Sequence, residues 1–222
     1  MDRTFKALAA LLGYPTGELL AAMPEIRAAL EEDRRLGSRP RRALAALCEQ
    51  LATGDALDAQ ERYVELFDRG RATCLHLFEH LHGDSRDRGQ AMVDLKATYA
   101  RAGLVLAGHE LPDYLPALLE FLSLQPFDVA REMLGDAAHI LRRIGEALAA
   151  RGSRYAAVPG ALLALAGEKP LAARPKPAPE QPLDAEWAEE PVTFGPEAAP
   201  GGSPSFIRFV PRTRPADPGA SR

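Results

Sequence analysis

Apolar residues in the first 167 positions recur three and four apart almost without interruption, a spacing that lines one face of an α-helix. The pattern predicts helices over roughly Thr4 to Leu12, Gly17 to Asp33, Arg41 to Ala52, Leu57 to Phe67 and Thr73 to His82. Further ones are expected from about Arg88 to Ala102, Pro112 to Leu124, Asp128 to Ala150 and Tyr155 to Ala166. β-Branched residues are too scarce for a convincing strand. Gly, Pro and short charged runs separate the segments, and no repeat period is present. The expected fold is therefore all-α, a single bundle of about nine helices. Gly70 and Gly83 are expected to end helices at positive φ.

Two segments carry more than a core-facing stripe. In the helix expected from Pro112 to Leu124, Leu115, Leu118, Leu119 and Leu122 follow i, i+3, i+4, i+7 and should enter the core. The opposite face holds Asp113, Ala117, Glu120 and Leu124, flanked by Tyr114 and Phe121. It is small, acidic and partly apolar, which suits a second helix laid against it. From Tyr63 to Gln90 the aromatics Tyr63, Phe67 and Phe78 sit on helical faces and read first as core, and as partner contacts second.

Prolines divide the chain, with seven up to Lys169 and twelve from Pro170 onward. A stretch so rich in residues that lack an amide donor cannot sustain helix or core packing. The sequence thus predicts a helical domain over residues 1–168 and a largely disordered Pro-rich tail over 169–222. Within that tail Trp187 is flanked by Asp184, Glu186, Glu189 and Glu190, either a short docking segment or a solvated acidic run.

Charge and motifs narrow the function classes. A net charge of −4 with no dominating Lys or Arg cluster argues against a nucleic-acid partner. Two cysteines, Cys48 and Cys74, are too few for a disulfide framework and suggest reduced thiols. The apolar run Leu8 to Leu12 ends at Gly13 and Tyr14, too short for a leader or a membrane span, so a soluble cytoplasmic protein without membrane insertion is expected. The loop from Gly83 to Gln90 packs Asp84, Arg86, Asp87 and Arg88 together. These form either a local ion-pair network or a charged lip in which Arg86 or Arg88 grips a partner's carboxylate or phosphate. The sharpest motif is His76-Leu77-Phe78-Glu79-His80, the H-x-x-E-H pattern of inverted zinc peptidases. On a continuous helix His76 and His80 would share a zinc ion and Glu79 would activate its water, although no third ligand has a signature. That makes a zinc hydrolase the competing enzymatic reading. No Gly-rich phosphate loop or G-x-S-x-G elbow occurs.

The segment ERYVELFDRGRATCLHLFEHLHGDSRDRGQAMVDLKATYARAGL closely resembles the NarJ family, the delta-subunit-like chaperones of nitrate reductase, which are related to the TorD-type redox-enzyme maturation chaperones. LLGYP near the start, ELPDYLPALLEFL from Glu110, SRYAAV from Ser153 and PLDAEWAEEPVTF from Pro182 resemble family segments in family order. The resemblance implies a non-enzymatic all-α domain that takes no cofactor of its own and binds the catalytic (alpha) subunit of nitrate reductase, chiefly its N-terminal segment, in the cytoplasm. It implies further that the apoenzyme is kept competent for insertion of its molybdenum bis-molybdopterin guanine dinucleotide cofactor, that membrane docking is delayed, and that the chaperone is absent from the finished enzyme. A chaperone for another molybdoenzyme would share this mechanism. The client-contact residues expected on these grounds are Tyr63, Phe67, Phe78, Asp84, Arg86, Arg88, Asp113, Tyr114, Ala117, Glu120 and Phe121. Two positions depart from the family pattern: Tyr114 stands where the family often has His, and His76 stands where an apolar residue is common.

Overall fold

The computed structural model describes residues 1–82, 86–106 and 110–171, apart from the side chains of His82 and Arg86. All of these residues lie in the first of the two units into which the chain divides, Met1–Ala178. The expected Trp187 segment, Asp84 and Gly83 lie outside the described residues.

Eleven α-helices make up the described part: α1 Arg3–Leu11, α2 Gly17–Ala21, α3 Met23–Glu32, α4 Ser38–Thr53, α5 Ala56–Tyr63, α6 Glu79–His82, α7 Arg86–Arg101, α8 Leu115–Ser123, α9 Phe127–Asp136, α10 Ala138–Ala150 and α11 Ala157–Ala166. The all-helical architecture is the one the periodicity predicts. Helix α11, AVPGALLALA, is apolar on every side, with six of its ten residues buried and none exposed, as befits a central helix. It packs against α10, α4 and α9, while α1 runs along α8 and α3. The Leu115, Leu118, Leu119 and Leu122 stripe of α8 is buried, as its spacing requires. Among the described residues no helix is long and apolar enough to cross a membrane.

Three expected helices are divided or shortened. The one expected over Gly17 to Asp33 breaks at Ala22, because Pro24 has no N–H to donate one turn back and instead opens α3 at a position where none is needed. The one expected over Asp128 to Ala150 turns at Ala137, just after Gly135 and Asp136, both weak helix formers. That turn lets Arg131 Nε reach Ala166 O at the end of α11 while α10 lies alongside α11. The third, over Thr73 to His82, is mostly not helical. A 3₁₀ turn covers Arg71–Thr73, the chain then extends, and only Glu79–His82 closes a helical turn.

After α5 the chain widens into a single π turn, Val64–Asp68, in which Arg69 N donates to Val64 O. The turn feeds an aromatic cluster: Tyr63 and Phe67 are buried, and their rings meet each other at 4.8 Å and Tyr155 at 6.3 and 5.1 Å. Gly70 follows at φ −106°, not at the expected positive value. Its requirement is close approach, since a Cβ there would come within 2.6 Å of Thr73 Oγ1 and 2.9 Å of Leu66 O. Thr73 is fully buried, donates to Leu66 O and accepts from Arg151 at 3.1 Å, which fastens this turn to α10.

The chain remains packed beyond Gly167, which ends α11 at φ +81°. Arg142 of α10 donates to Lys169 O at 2.8 Å and Pro170 O at 3.4 Å, and Leu171 lies over Gly145, where a methyl group would approach its Cδ1 to 2.7 Å. A chain ending at Gly167 is therefore expected to melt a few degrees below one ending just after Leu171, since a half-buried leucine and its neighbours contribute about 1–2 kcal/mol. Calorimetry of the two truncations beside the full chain measures this; equal transitions would show that residues 168–171 add nothing.

Candidate functional site

The segment Cys74 to Phe78 and the segment leading into α8 meet as an isolated antiparallel bridge between His76 and Tyr114. Leu77 N donates to Asp113 O and Leu115 N to Leu75 O, at 3.1 and 2.8 Å. This pairing decides where several candidate residues lie. Asp113 is not on the outer face of a helix with Glu120; it precedes α8 and is 0 % exposed. Helix α8 starts only at Leu115, because Pro116 fits the first turn of a helix and not its interior. The Asp113 carboxylate accepts the Phe78 N–H at 3.0 Å and lies 3.4 Å from His76 Nδ1. The hydrogen bond with Asp113 raises the His76 pKa above its ordinary value, against the opposing effect of burial.

The same geometry overturns the zinc motif as a helical ligand pair. His76 is in the bridge, facing Asp113, with its ring 5.2 Å from the Tyr114 ring and tilted 34° to it, whereas His80, in α6, has its Nε2 2.9 Å from Cys74 O. Glu79 is occupied by Arg88 at 3.1 Å and accepts from Cys74 Sγ at 3.1 Å. Burial pushes the Cys74 thiol up to about 12. Among the described residues no cluster of three His, Cys, Asp or Glu is arranged to hold a metal. Arg88, expected as a possible grip for a partner, is thus paired within the domain.

The remaining acidic and apolar candidates do come together. Tyr114, Ala117, Glu120, Phe121 and Leu124 form one wall of a cleft of about 320 Å³. Tyr99, Leu104, Val105, Leu106 and Glu110 complete it, with Pro116 at its edge. Val105 is 84 % exposed and Leu124 is also exposed, so the apolar surface is open to a partner. Among the described residues, two carboxylates, Glu110 and Glu120, and no basic side chain line it. Tyr99 anchors the far wall: it is buried in α7, donates to Pro112 O at 2.7 Å and lies 4.5 Å from the Phe121 ring. Phe121 is itself buried, so it is floor more than rim. Tyr114 also bridges to the aromatic cluster, its hydroxyl 3.3 Å from that of Tyr63, which donates to Leu12 O at 2.8 Å.

Tyr63 and Phe67 therefore support the cleft from the core and do not line it. Phe78 is half-buried and borders a separate groove with α7 residues Ala91, Asp94, Leu95 and Thr98. Asp84 and the Arg86 side chain fall outside what is described. Periodicity missed the wall made by Leu104, Val105 and Leu106, since these follow the positive-φ Gly103 in a non-helical stretch. An apolar triplet between a helix-ending glycine and Pro112 was the available signal.

The described residues form an all-helical domain with an acid-lined apolar cleft, and sequence comparison places the chain more narrowly. The chain matches the family described as nitrate reductase delta subunit over residues 33–158, more than half its length, and it belongs to that family. It is 45 % identical over 192 residues to the nitrate reductase molybdenum cofactor assembly chaperone NarJ of Escherichia coli K12, covering 83 % of this chain and 81 % of that protein. It is 41 % identical to the probable chaperone NarW of the same strain, covering 85 % and 82 %. A probable NarJ of Bacillus subtilis is 34 % identical, covering 72 % and 86 %.

Proposed function

We propose that this chain is a non-catalytic assembly chaperone for a molybdenum-containing respiratory nitrate reductase. It acts on the apo catalytic subunit in the cytoplasm, promotes insertion of the molybdenum cofactor and delays docking at the membrane. The observation that carries the reading is 45 % identity with a chaperone of that name across four-fifths of both chains. The cleft beside α8 supplies a mechanism. An amphipathic helix from the N-terminal segment of the client lays its apolar side against Tyr114, Ala117, Phe121 and Leu124, and its basic residues meet Glu110 and Glu120. Occupying that segment keeps the subunit from its membrane anchor while the cofactor enters, and release then leaves the chaperone out of the finished enzyme.

Affinity capture of the tagged full chain from nitrate-respiring cells, followed by mass spectrometry, tests the reading. The catalytic subunit of nitrate reductase is the expected prey, enriched in a strain unable to make the cofactor. Recovery of a different molybdoenzyme in its place would reassign the client, and recovery of neither would overturn the proposal.

A further inference from the structure

The chain's net charge of −4 conceals a local excess of the opposite sign. Five arginines fall between positions 34 and 42, at the turn from α3 into α4. The acidic residues beside them are already engaged: Glu31 by Arg27, Glu32 by Arg3, and Asp33 together with Asp2 by Arg35. The Asp33 carboxylate, which burial alone would raise, is brought down to about 2 by its hydrogen bonds from Arg35 and Thr4, so it is fully committed. Arg34, Arg39 and Arg42 are exposed and make no hydrogen bond or ion pair with a described residue, while Arg41 donates only to the Glu31 carbonyl.

Helix stability does not account for this arrangement. The first five residues of α4 include Arg39, Arg41 and Arg42 and no acid, and no side chain caps its N-terminus. Positive charge at that end opposes the helix dipole, so the fold carries it at a cost. Nor do the described clefts use it: none of the four grooves described is lined by these arginines. The patch sits at the turn between two helices. No aromatic residue is interleaved with the arginines from 33 to 42, as base stacking would require.

We infer that the α3–α4 turn, through Arg34, Arg39, Arg41 and Arg42, is a peripheral docking surface for an anionic phospholipid bilayer. A shallow basic cluster on an otherwise acidic protein binds such a surface electrostatically and in one orientation, since the rest of the molecule is repelled. The inference rests on charge distribution and not on the identity of the client, so it stands or falls separately from the chaperone reading.

The test is sedimentation of the purified full chain with vesicles of phosphatidylglycerol and phosphatidylethanolamine, against vesicles of phosphatidylcholine alone. Binding to the anionic vesicles only is expected. It should vanish as salt rises from about 0.1 M to about 1 M, because the screening length falls from about 10 Å to about 3 Å. At roughly fivefold per arginine, the Arg34→Ser/Arg39→Ser/Arg42→Ser variant should lose about a hundredfold in partitioning. Its thermal transition should be unchanged, because these side chains are exposed and make no hydrogen bond or ion pair with a described residue. The Lys96→Ser/Arg101→Ser variant on α7 should partition like wild type. No binding to anionic vesicles at low salt, or binding that survives the triple substitution, overturns the inference. So does equally tight binding to single-stranded DNA that the triple variant also loses, which would mark a nucleic-acid surface.

Discussion

Replacing Asp113 by alanine is expected to destabilise the domain by about 3 kcal/mol, because it removes a fully buried carboxylate that accepts the Phe78 N–H and faces His76. The carboxylate is 0 % exposed and is the acceptor for Phe78 N–H at 3.0 Å. For a domain of this size the melting temperature should fall by about 6–12 °C. Asp113→Asn should cost less, since its amide oxygen can still accept from Phe78 while the attraction to His76 is lost. The pH dependence separates the two effects. His76 has its pKa raised by Asp113, so its contribution to stability is fully present below the ordinary histidine value of 6.5 and is lost as pH rises through the higher folded value. Wild type should therefore weaken over that window, and Asp113→Asn should show a flatter profile there. Urea unfolding at a series of pH values measures both; an Asp113→Ala protein as stable as wild type would mean that the carboxylate does not hold the bridge.

The parts of this fold that follow a fixed period were legible in the sequence, and the parts that depend on long-range pairing were not. The leucine stripe of α8 declares its burial through spacing, and the run of α11 by being apolar on every side. Tyr63 and Phe67 read as core and are core. Asp113 misled because the i, i+7 relation to Glu120 holds only if the helix has already begun, and the bridge with His76 begins it two residues later. The H-x-x-E-H motif failed for the same reason: the four-residue interval says nothing about whether the backbone between is helical, and here Leu77 N is drawn to Asp113 O across the chain. Pro116 was the local sign that α8 starts late. Of the cleft, one wall was readable as a small acidic helix face. The other comes from Leu104, Val105 and Leu106, placed by Tyr99 reaching Pro112 O. Both are tertiary facts with no period to announce them. The basic turn at α3–α4 was hidden by averaging charge over the whole chain.

Filling the cleft should abolish most client binding without disturbing the fold, and Ala117 is the position from which to do it. It lines the cleft together with Tyr114 and Phe121 and is only half-buried, so a larger side chain is expected to grow into the cleft and not into the core. Phe121 is a poorer probe. It is buried against Tyr99, and Phe→Ala in such a setting commonly costs about 3–5 kcal/mol of stability, which would mix unfolding with loss of affinity. Ala117→Trp is expected to melt close to wild type and to weaken binding of the client's N-terminal peptide by about 30-fold or more, the loss of about 2 kcal/mol typical of an occluded anchor site. Glu120 is exposed at the rim, where a charge acts mainly on association and is screened by salt. Glu120→Gln should therefore lower affinity only a few-fold at low ionic strength and leave it unchanged at high. Calorimetric titration at two salt concentrations distinguishes an apolar seat from an electrostatic guide. If both variants fold and bind as wild type does, the client helix does not lie along α8, and the groove between Phe78 and α7 becomes the next place to test.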